Sequence, residues 1–156
     1  MSDVNDTFAV RRLQAMLHEQ IPLAREMQAE LMGWGVDGLE MTAPLGPNLN
    51  HHGTFFGGSA SALGILAGWS LVHLLAMEEG LEVAIVIQKV AMRYSAPAPG
   101  ALVARAERPP QASWDRFLAV YRRFGVARLG VRVALACEGD RVAVLDASYA
   151  AIPHDT

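Results

Sequence analysis

The sequence predicts an α+β fold in which one long apolar helix lies against an antiparallel sheet. Three observations favour this fold class. Apolar residues make up 52% of the 156 residues and charged residues 19%, which is enough to bury a core. The stretch Ser59–Met77 contains no Asp, Glu, Lys or Arg. After it come several strand-like runs separated by short turns, as in antiparallel sheets. The length predicts a single domain over residues 1–156.

Two helices are predicted at the N-terminal end. The first covers about residues 7–20, where apolar residues recur on one face. Pro22 is expected to begin the second helix, because proline fits the first helical turn, and Gly33 is expected to end it. The apolar residues of this second helix are spaced four apart: Leu23, Met27 and Leu31.

A first strand and a long helix are predicted next. Leu39–Leu45 alternates as a strand does, and the prolines at 44 and 47 turn it into a loop. Ser59–Met77 is long enough to span a bilayer. Its serines, its His73 and its many alanines and glycines instead favour a core helix that the sheet approaches closely.

The second half of the chain predicts strands interrupted by one helix. Val83–Ser95 begins with a uniformly apolar run, which predicts that the first half of this strand is covered on both faces. Leu102–Arg108 returns as the next strand. A helix then follows, with Ser113 as its N-cap and Gly125 just after its last turn.

A hairpin is predicted at the C-terminal end. Leu129–Cys137 places apolar residues on one strand face, and Arg141–Ile152 is the returning strand. Gly139 and Asp140 form the turn between them.

Charge and cysteine content exclude several classes of function. The net charge of -3 and the pI near 5.9 give no positive field for nucleic acid. The single cysteine, Cys137, cannot form an internal disulfide, and no spacing of Cys and His predicts a metal site. The polar first residues do not resemble a secretion signal. These features predict a cytoplasmic protein that binds no nucleic acid, spans no membrane and holds no metal.

The segment Pro47–Ser59 carries the densest chemical signal. Gly57 and Gly58 stand where a loop enters the long helix, and backbone N–H groups at a helix start favour a developing negative charge. This is a candidate oxyanion hole. The alternative is that the two glycines only allow a tight turn and close packing.

Two segments resemble the hotdog-fold thioesterase superfamily, and in particular the YiiD C-terminal family. Asn50–Ser59 matches the pattern N-x-x-G-T-x-F-G-G-S before a small-residue helix, and Met92–Pro97 resembles I-R-Y-x-A-P. The resemblance implies a long central helix wrapped by an antiparallel sheet, and a homodimer, with a homotetramer left open. It also implies hydrolysis of an acyl thioester of CoA or of acyl carrier protein, with CoA as part of the substrate and no other cofactor.

The resemblance also implies roles for individual residues. The Gly58 amide would stabilise the oxyanion, and Asn50 would orient water or substrate, because an amide cannot accept a proton. Thr54 and Ser61 are candidate hydroxyls for holding the water, whereas Ser59 is expected to cap the helix. The residues expected to contact substrate are His51, His52, Phe56, Gly57, Ser59, Arg93, Tyr94 and Ser95.

One departure from the family pattern leaves two alternatives open. Many hotdog thioesterases carry an Asp or Glu in the first two turns of the central helix, but this helix has none before Glu78. A non-catalytic acyl-binding or assembly module would need no such carboxylate. A dehydratase or hydratase would need a paired histidine and carboxylate, of which His51 or His52 supplies half. In the thioesterase hypothesis, one of these histidines is the candidate base.

Overall fold

A computed structural model describes residues 4–155 of the chain, with side chains from residue 7 onward. The predicted domain limits, residues 1 and 156, lie outside this range. The described residues form four α-helices, one short 3-10 helix and six strands. In chain order they are α1 (Val4–Gln20), α2 (Pro22–Glu26), β1 (Glu30–Gly35), β2 (Gly38–Ala43), the 3-10 helix (Gly46–Asn48), α3 (Gly57–Glu78), β3 (Val83–Tyr94), β4 (Leu102–Glu107), α4 (Gln111–Phe124), β5 (Ala127–Cys137) and β6 (Asp140–Pro153).

The strands form a single antiparallel sheet that curves around α3. Their order across the sheet is β1-β2-β4-β5-β6-β3, so β1 and β3 are the two edges. Helix α3 contacts β2, β3, β4, β5 and β6, which leaves only β1 without extensive contact to it. The predicted α+β class, with a long helix wrapped by an antiparallel sheet, is confirmed.

Helix α3 is the centre of the hydrophobic core. Its length and composition are sufficient for a membrane span, but 67% of its most apolar window is buried inside the fold. A Cβ atom at Gly64 would lie 2.9 Å from Leu145 of β6, so a larger residue here would displace the Leu145 side chain. The hydroxyl of Tyr149 donates a 2.7 Å hydrogen bond to the carbonyl of Ile65. The small residues of α3 therefore bring it close to the sheet.

The second helix begins at Pro22 as predicted but ends well before the predicted Gly33. Helix α2 ends at Glu26, because the Ala29 N–H bonds to the Ala24 carbonyl at 3.0 Å and Gln28 takes a left-handed φ of 57°. The chain then runs into β1, which pairs with β2. Leu31 and Gly33 therefore lie in β1, a strand that was not predicted. The strand predicted as the first is the second strand of the structure, β2.

The predicted start of α4 is also wrong. Pro110 is the N-cap, and the N–H groups of Ser113 and Trp114 both bond to its carbonyl. Ser113 is therefore the third residue of the helix and does not cap it. The helix end is confirmed, since Gly125 has φ +74° and its N–H bonds to the Tyr121 carbonyl.

Strand β3 is not covered on both faces as predicted. It pairs only with β6, and 41% of Val86 and 39% of Ile87 are exposed in the single chain. The uniformly apolar run therefore marks the unpaired edge of the sheet. Elsewhere β4 and the β5–β6 hairpin form as predicted, but the turn lies one residue earlier than predicted. Glu138 and Gly139 both take positive φ and make the turn, and Asp140 is already the first residue of β6.

Candidate active site

The loop before α3 is folded around the side chain of Asn50. Its Oδ1 accepts hydrogen bonds from the N–H groups of His52 at 2.9 Å and Thr54 at 3.0 Å. Its Nδ2 donates to Thr54 Oγ1 at 2.9 Å, and the Asn50 N–H bonds to the Thr54 carbonyl at 2.8 Å. Such local bonds are typical of Asn in tight turns. The amide of Asn50 therefore holds the loop and positions the Thr54 hydroxyl.

Helix α3 begins at Gly57 without a side-chain cap. Phe56 is the N-cap, and its own N–H bonds to the Asn48 carbonyl at 2.7 Å. The first helical N–H with an acceptor is that of Ala60. In the described part of the chain, the N–H groups of Gly57, Gly58 and Ser59 have no acceptor, as expected for a first turn. These donors can bind an anionic oxygen.

Two half-exposed aromatic rings lie against these glycines. A Cβ atom at Gly58 would lie 2.5 Å from the Phe56 ring, and one at Gly57 would lie 3.4 Å from the Tyr94 ring. The Tyr94 hydroxyl also donates a 2.7 Å hydrogen bond to the Gly57 carbonyl. Partial burial raises the pKa of Tyr94, so its hydroxyl is protonated and can donate at neutral pH.

A cleft of about 430 Å³ opens beside the start of α3. Its polar wall contains Asn50, His52 and Thr54. The remaining residues that line it are small, apolar or aromatic: Phe55, Gly57, Ala60, Tyr94, Ala96, Pro97, Ala98, Leu102, Val142 and Ala143. A mostly apolar cleft with a few polar groups at one side is typical of a small-molecule site.

The structure brings together five of the residues expected at the site. Asn50, His52, Thr54, Gly57 and Tyr94 all line the cleft. Their positions depend on two distant parts of the chain, the loop before α3 and the end of β3. The sequence analysis missed the opposite wall, formed by residues 96–98, 102 and 142–143. The Met92–Pro97 motif could have indicated part of that wall, since its last two residues, Ala96 and Pro97, line the cleft.

The other expected residues lie outside the cleft lining. Gly58 is one residue further into α3, with Phe56 over it. The His51 ring lies beside that of His52, with centroids 3.8 Å apart and ring planes tilted by 42°. Ser59 does not cap the helix, which contradicts the expectation, because Phe56 holds the cap position and makes no side-chain bond. The remaining three are Ser61, half-buried in α3, and Arg93 and Ser95, both exposed on or after β3.

No group of metal-binding side chains is present in the part of the chain that the structure describes. His73 stacks on Trp69 with ring centroids 4.9 Å apart, and burial lowers the pKa of its imidazole. Cys137 is buried in the core. None of these groups lines the cleft.

The family model described as "Putative thioesterase (yiiD_Cterm)" matches residues 10–153 of this chain. A solved structure of a protein of unknown function from Chlorobaculum tepidum is similar, with 26% identity, a TM-score of 0.91, and coverage of 96% of this chain and 97% of that one. A putative thioesterase from Shewanella oneidensis has 29% identity and a TM-score of 0.87, covering 94% of this chain and 99% of that one.

A probable thioesterase from Pseudomonas aeruginosa has the same fold at 19% identity, with a TM-score of 0.79 and coverage of 92% of this chain and 95% of that one. The likeness to these proteins and the α3-centred sheet confirm the expected hotdog fold.

Proposed function

Because this chain belongs to the family described as "Putative thioesterase (yiiD_Cterm)", we propose that it hydrolyses an acyl thioester of CoA or of acyl carrier protein. The observation that carries the proposal is the start of α3, where three unpaired N–H groups stand beside a cleft with a polar wall. A thioester carbonyl needs such donors when its oxygen gains negative charge.

The Gly58 N–H is the proposed oxyanion donor. Water adds to the thioester carbon, the carbonyl oxygen becomes anionic, and the carbon–sulfur bond then breaks to give the carboxylic acid and the free thiol. A backbone donor aimed at that oxygen stabilises the transition state by about 2.7–4 kcal/mol. The exposed Phe56 ring over Gly58 would shield this contact from solvent.

Thr54 is the proposed group that holds the attacking water. Its Oγ1 already accepts a bond from Asn50, which leaves the hydroxyl proton free to be donated into the cleft. Asn50 acts by fixing Thr54, since its own oxygen is occupied by two backbone N–H groups. His52 also lines the cleft and is the proposed base.

A second copy of the chain is proposed to pair along β3. This edge strand is long, and its exposed apolar residues would be covered by antiparallel pairing with itself. Tyr94 ends β3 and lines the cleft, so the second copy would lie beside the site.

A non-catalytic acyl-binding module is the second candidate function. Among the residues that the structure describes, the cleft lining contains no carboxylate, so a binding role without turnover would fit it. A dehydratase or hydratase would need a carboxylate opposite His52, and no residue described in this cleft lining favours that reaction.

The test is thiol release from short, medium, long and aromatic acyl-CoA substrates and from acyl carrier protein thioesters. We expect turnover by the wild-type protein and a loss of about 100-fold or more in Gly58→Pro, because proline lacks the donor N–H. Gly58→Ala displaces the exposed Phe56 ring but keeps the N–H, so it is the matched control for the donor and should lose much less turnover than Gly58→Pro.

Circular dichroism must show that Gly58→Pro is folded. Equal turnover in the two Gly58 variants would contradict the oxyanion role. Acyl-CoA binding by calorimetry without thiol release would favour the binding module.

A further inference from the structure

Tyr94 makes a contact that a purely substrate-binding residue would not need. Its hydroxyl donates to the carbonyl oxygen of Gly57 at 2.7 Å. That carbonyl belongs to the peptide group whose nitrogen is the Gly58 N–H. The phenol and the proposed oxyanion donor therefore sit at opposite ends of one amide group.

Hydrogen bonds at the two ends of an amide strengthen each other. A carbonyl oxygen has two lone pairs, so Gly57 can accept from Tyr94 as well as from the helix. Each accepted bond draws electron density toward the oxygen and makes the N–H at the other end a stronger donor. The bond also fixes the plane of the peptide, which sets the direction of the N–H.

The backbone around Tyr94 holds the phenol in this place. Tyr94 pairs with Ala143 of β6, and the next N–H, that of Ser95, bonds to the Val142 carbonyl at 2.8 Å. Gly57 lacks a side chain where a Cβ would come within 3.4 Å of the phenol ring. The end of β3 and the start of α3 are thus joined through this hydroxyl.

We infer that Tyr94 is a positioning residue, which orients and polarises the Gly57–Gly58 peptide so that the Gly58 N–H is a stronger oxyanion donor. This inference rests on the proposed function for its effect on catalysis. It assigns to Tyr94 an action on the protein's own backbone, through which it acts on the substrate.

Tyr94→Phe removes the hydroxyl and keeps the ring, so it tests this inference directly. We expect kcat to fall by between about twofold and about eightfold, because cooperativity of about 10–30% acts on a donor that contributes about 100-fold to 1,000-fold. KM should stay within about twofold, since the bond gains strength only where charge develops. Tyr121→Phe on α4, away from the cleft lining, is the matched control.

A second readout does not depend on turnover. The ¹⁵N resonance of Gly58 responds to hydrogen bonding at the preceding carbonyl, so it should move upfield in Tyr94→Phe and stay in place in Tyr121→Phe. The Phe ring keeps the ring-current contribution nearly constant. A role limited to folding would spread shifts over many residues and would not single out Gly58.

The outcomes separate the two proposals. A fall in kcat at constant KM, together with the Gly58 shift, supports the inference. The inference is overturned if the wild-type protein turns over and Tyr94→Phe has the same kcat. It is also overturned if the Gly58 resonance of Tyr94→Phe does not move. If the wild-type protein releases no thiol from any substrate, the proposed function fails, and the Gly58 resonance alone then decides the inference.

Discussion

Asn50 shows how one side chain can serve both the fold and the site. Its oxygen accepts two backbone N–H groups and its nitrogen donates to Thr54, so every strong bond it makes lies within the loop. The sequence analysis expected Asn50 to orient water itself. These bonds favour a supporting position for Asn50, and in the proposed function the Thr54 hydroxyl at the cleft is the group that holds the water.

Thr54→Val and Asn50→Ala should therefore differ. Thr54→Val replaces the hydroxyl by a methyl group, and the two side chains have nearly the same volume. We therefore expect kcat to fall by about fivefold to tenfold with little change in Tm. Asn50→Ala loses the same positioning and also two backbone bonds, so it should lower kcat and destabilise the fold by about 1 kcal/mol. Thiol release and thermal unfolding measure the two effects.

Thr54→Ser keeps the hydroxyl and is the control for Thr54→Val. Wild-type turnover in Thr54→Val would remove Thr54 from the mechanism.

At the scale of single elements, the end of α2 decides how the N-terminal part of the chain folds. Gln28 takes φ +57°, a conformation that an L side chain adopts at a cost of about 1–2 kcal/mol. The cost is offset by the bond from Ala29 to Ala24 and by the β1–β2 pairing that follows. A four-residue spacing of apolar residues across this point cannot reveal such a turn.

Gln28→Gly should stabilise the protein by about 0.5–1 kcal/mol, because glycine adopts positive φ without strain and the Gln28 side chain is exposed. The measurement is the urea unfolding midpoint. Gln28→Ala loses the same side chain but keeps the strain, so it should show no such gain. Equal midpoints in the two variants would mean that the backbone conformation is not the source of strain.

At the scale of the whole molecule, the two sheet edges are unlike each other. Strand β1 has six residues and contacts α1, whereas β3 has twelve residues, of which the apolar Val86, Ile87 and Val90 are exposed. Long, unpaired apolar edges favour association, and charged residues prevent it. The exposed apolar residues of β3 therefore predict where a second copy pairs.

Val90→Lys, in the β3 edge, should convert a wild-type dimer to a monomer at micromolar concentration, because the buried charge would oppose pairing. Val90 is 42% exposed in the single chain. Met32→Lys, at the other edge, where Met32 is 61% exposed, should leave the dimer intact. Sedimentation velocity measures both masses. A wild-type monomer, or a dimer that only Met32→Lys disrupts, would contradict pairing along β3.

The sequence by itself determined the elements whose signals are local. Residues 57–77 carry no charged side chain, and β5 alternates buried with more exposed residues up to a glycine turn, so neighbouring residues alone specify each of these elements. The glycines at 57 and 58 marked the start of α3 for the same reason, since a helix start depends on the few residues around it.

Only the tertiary structure decided which surfaces meet. Strand β1 forms because β2 is there to pair with it, and the apolar run of β3 is exposed because the sheet order makes it an edge. The contact of Tyr94 with Gly57 joins residues 37 positions apart, and the cleft wall joins β4 and β6 to the loop before α3. Such contacts depend on how distant segments pack, which the spacing of residues along one chain does not encode.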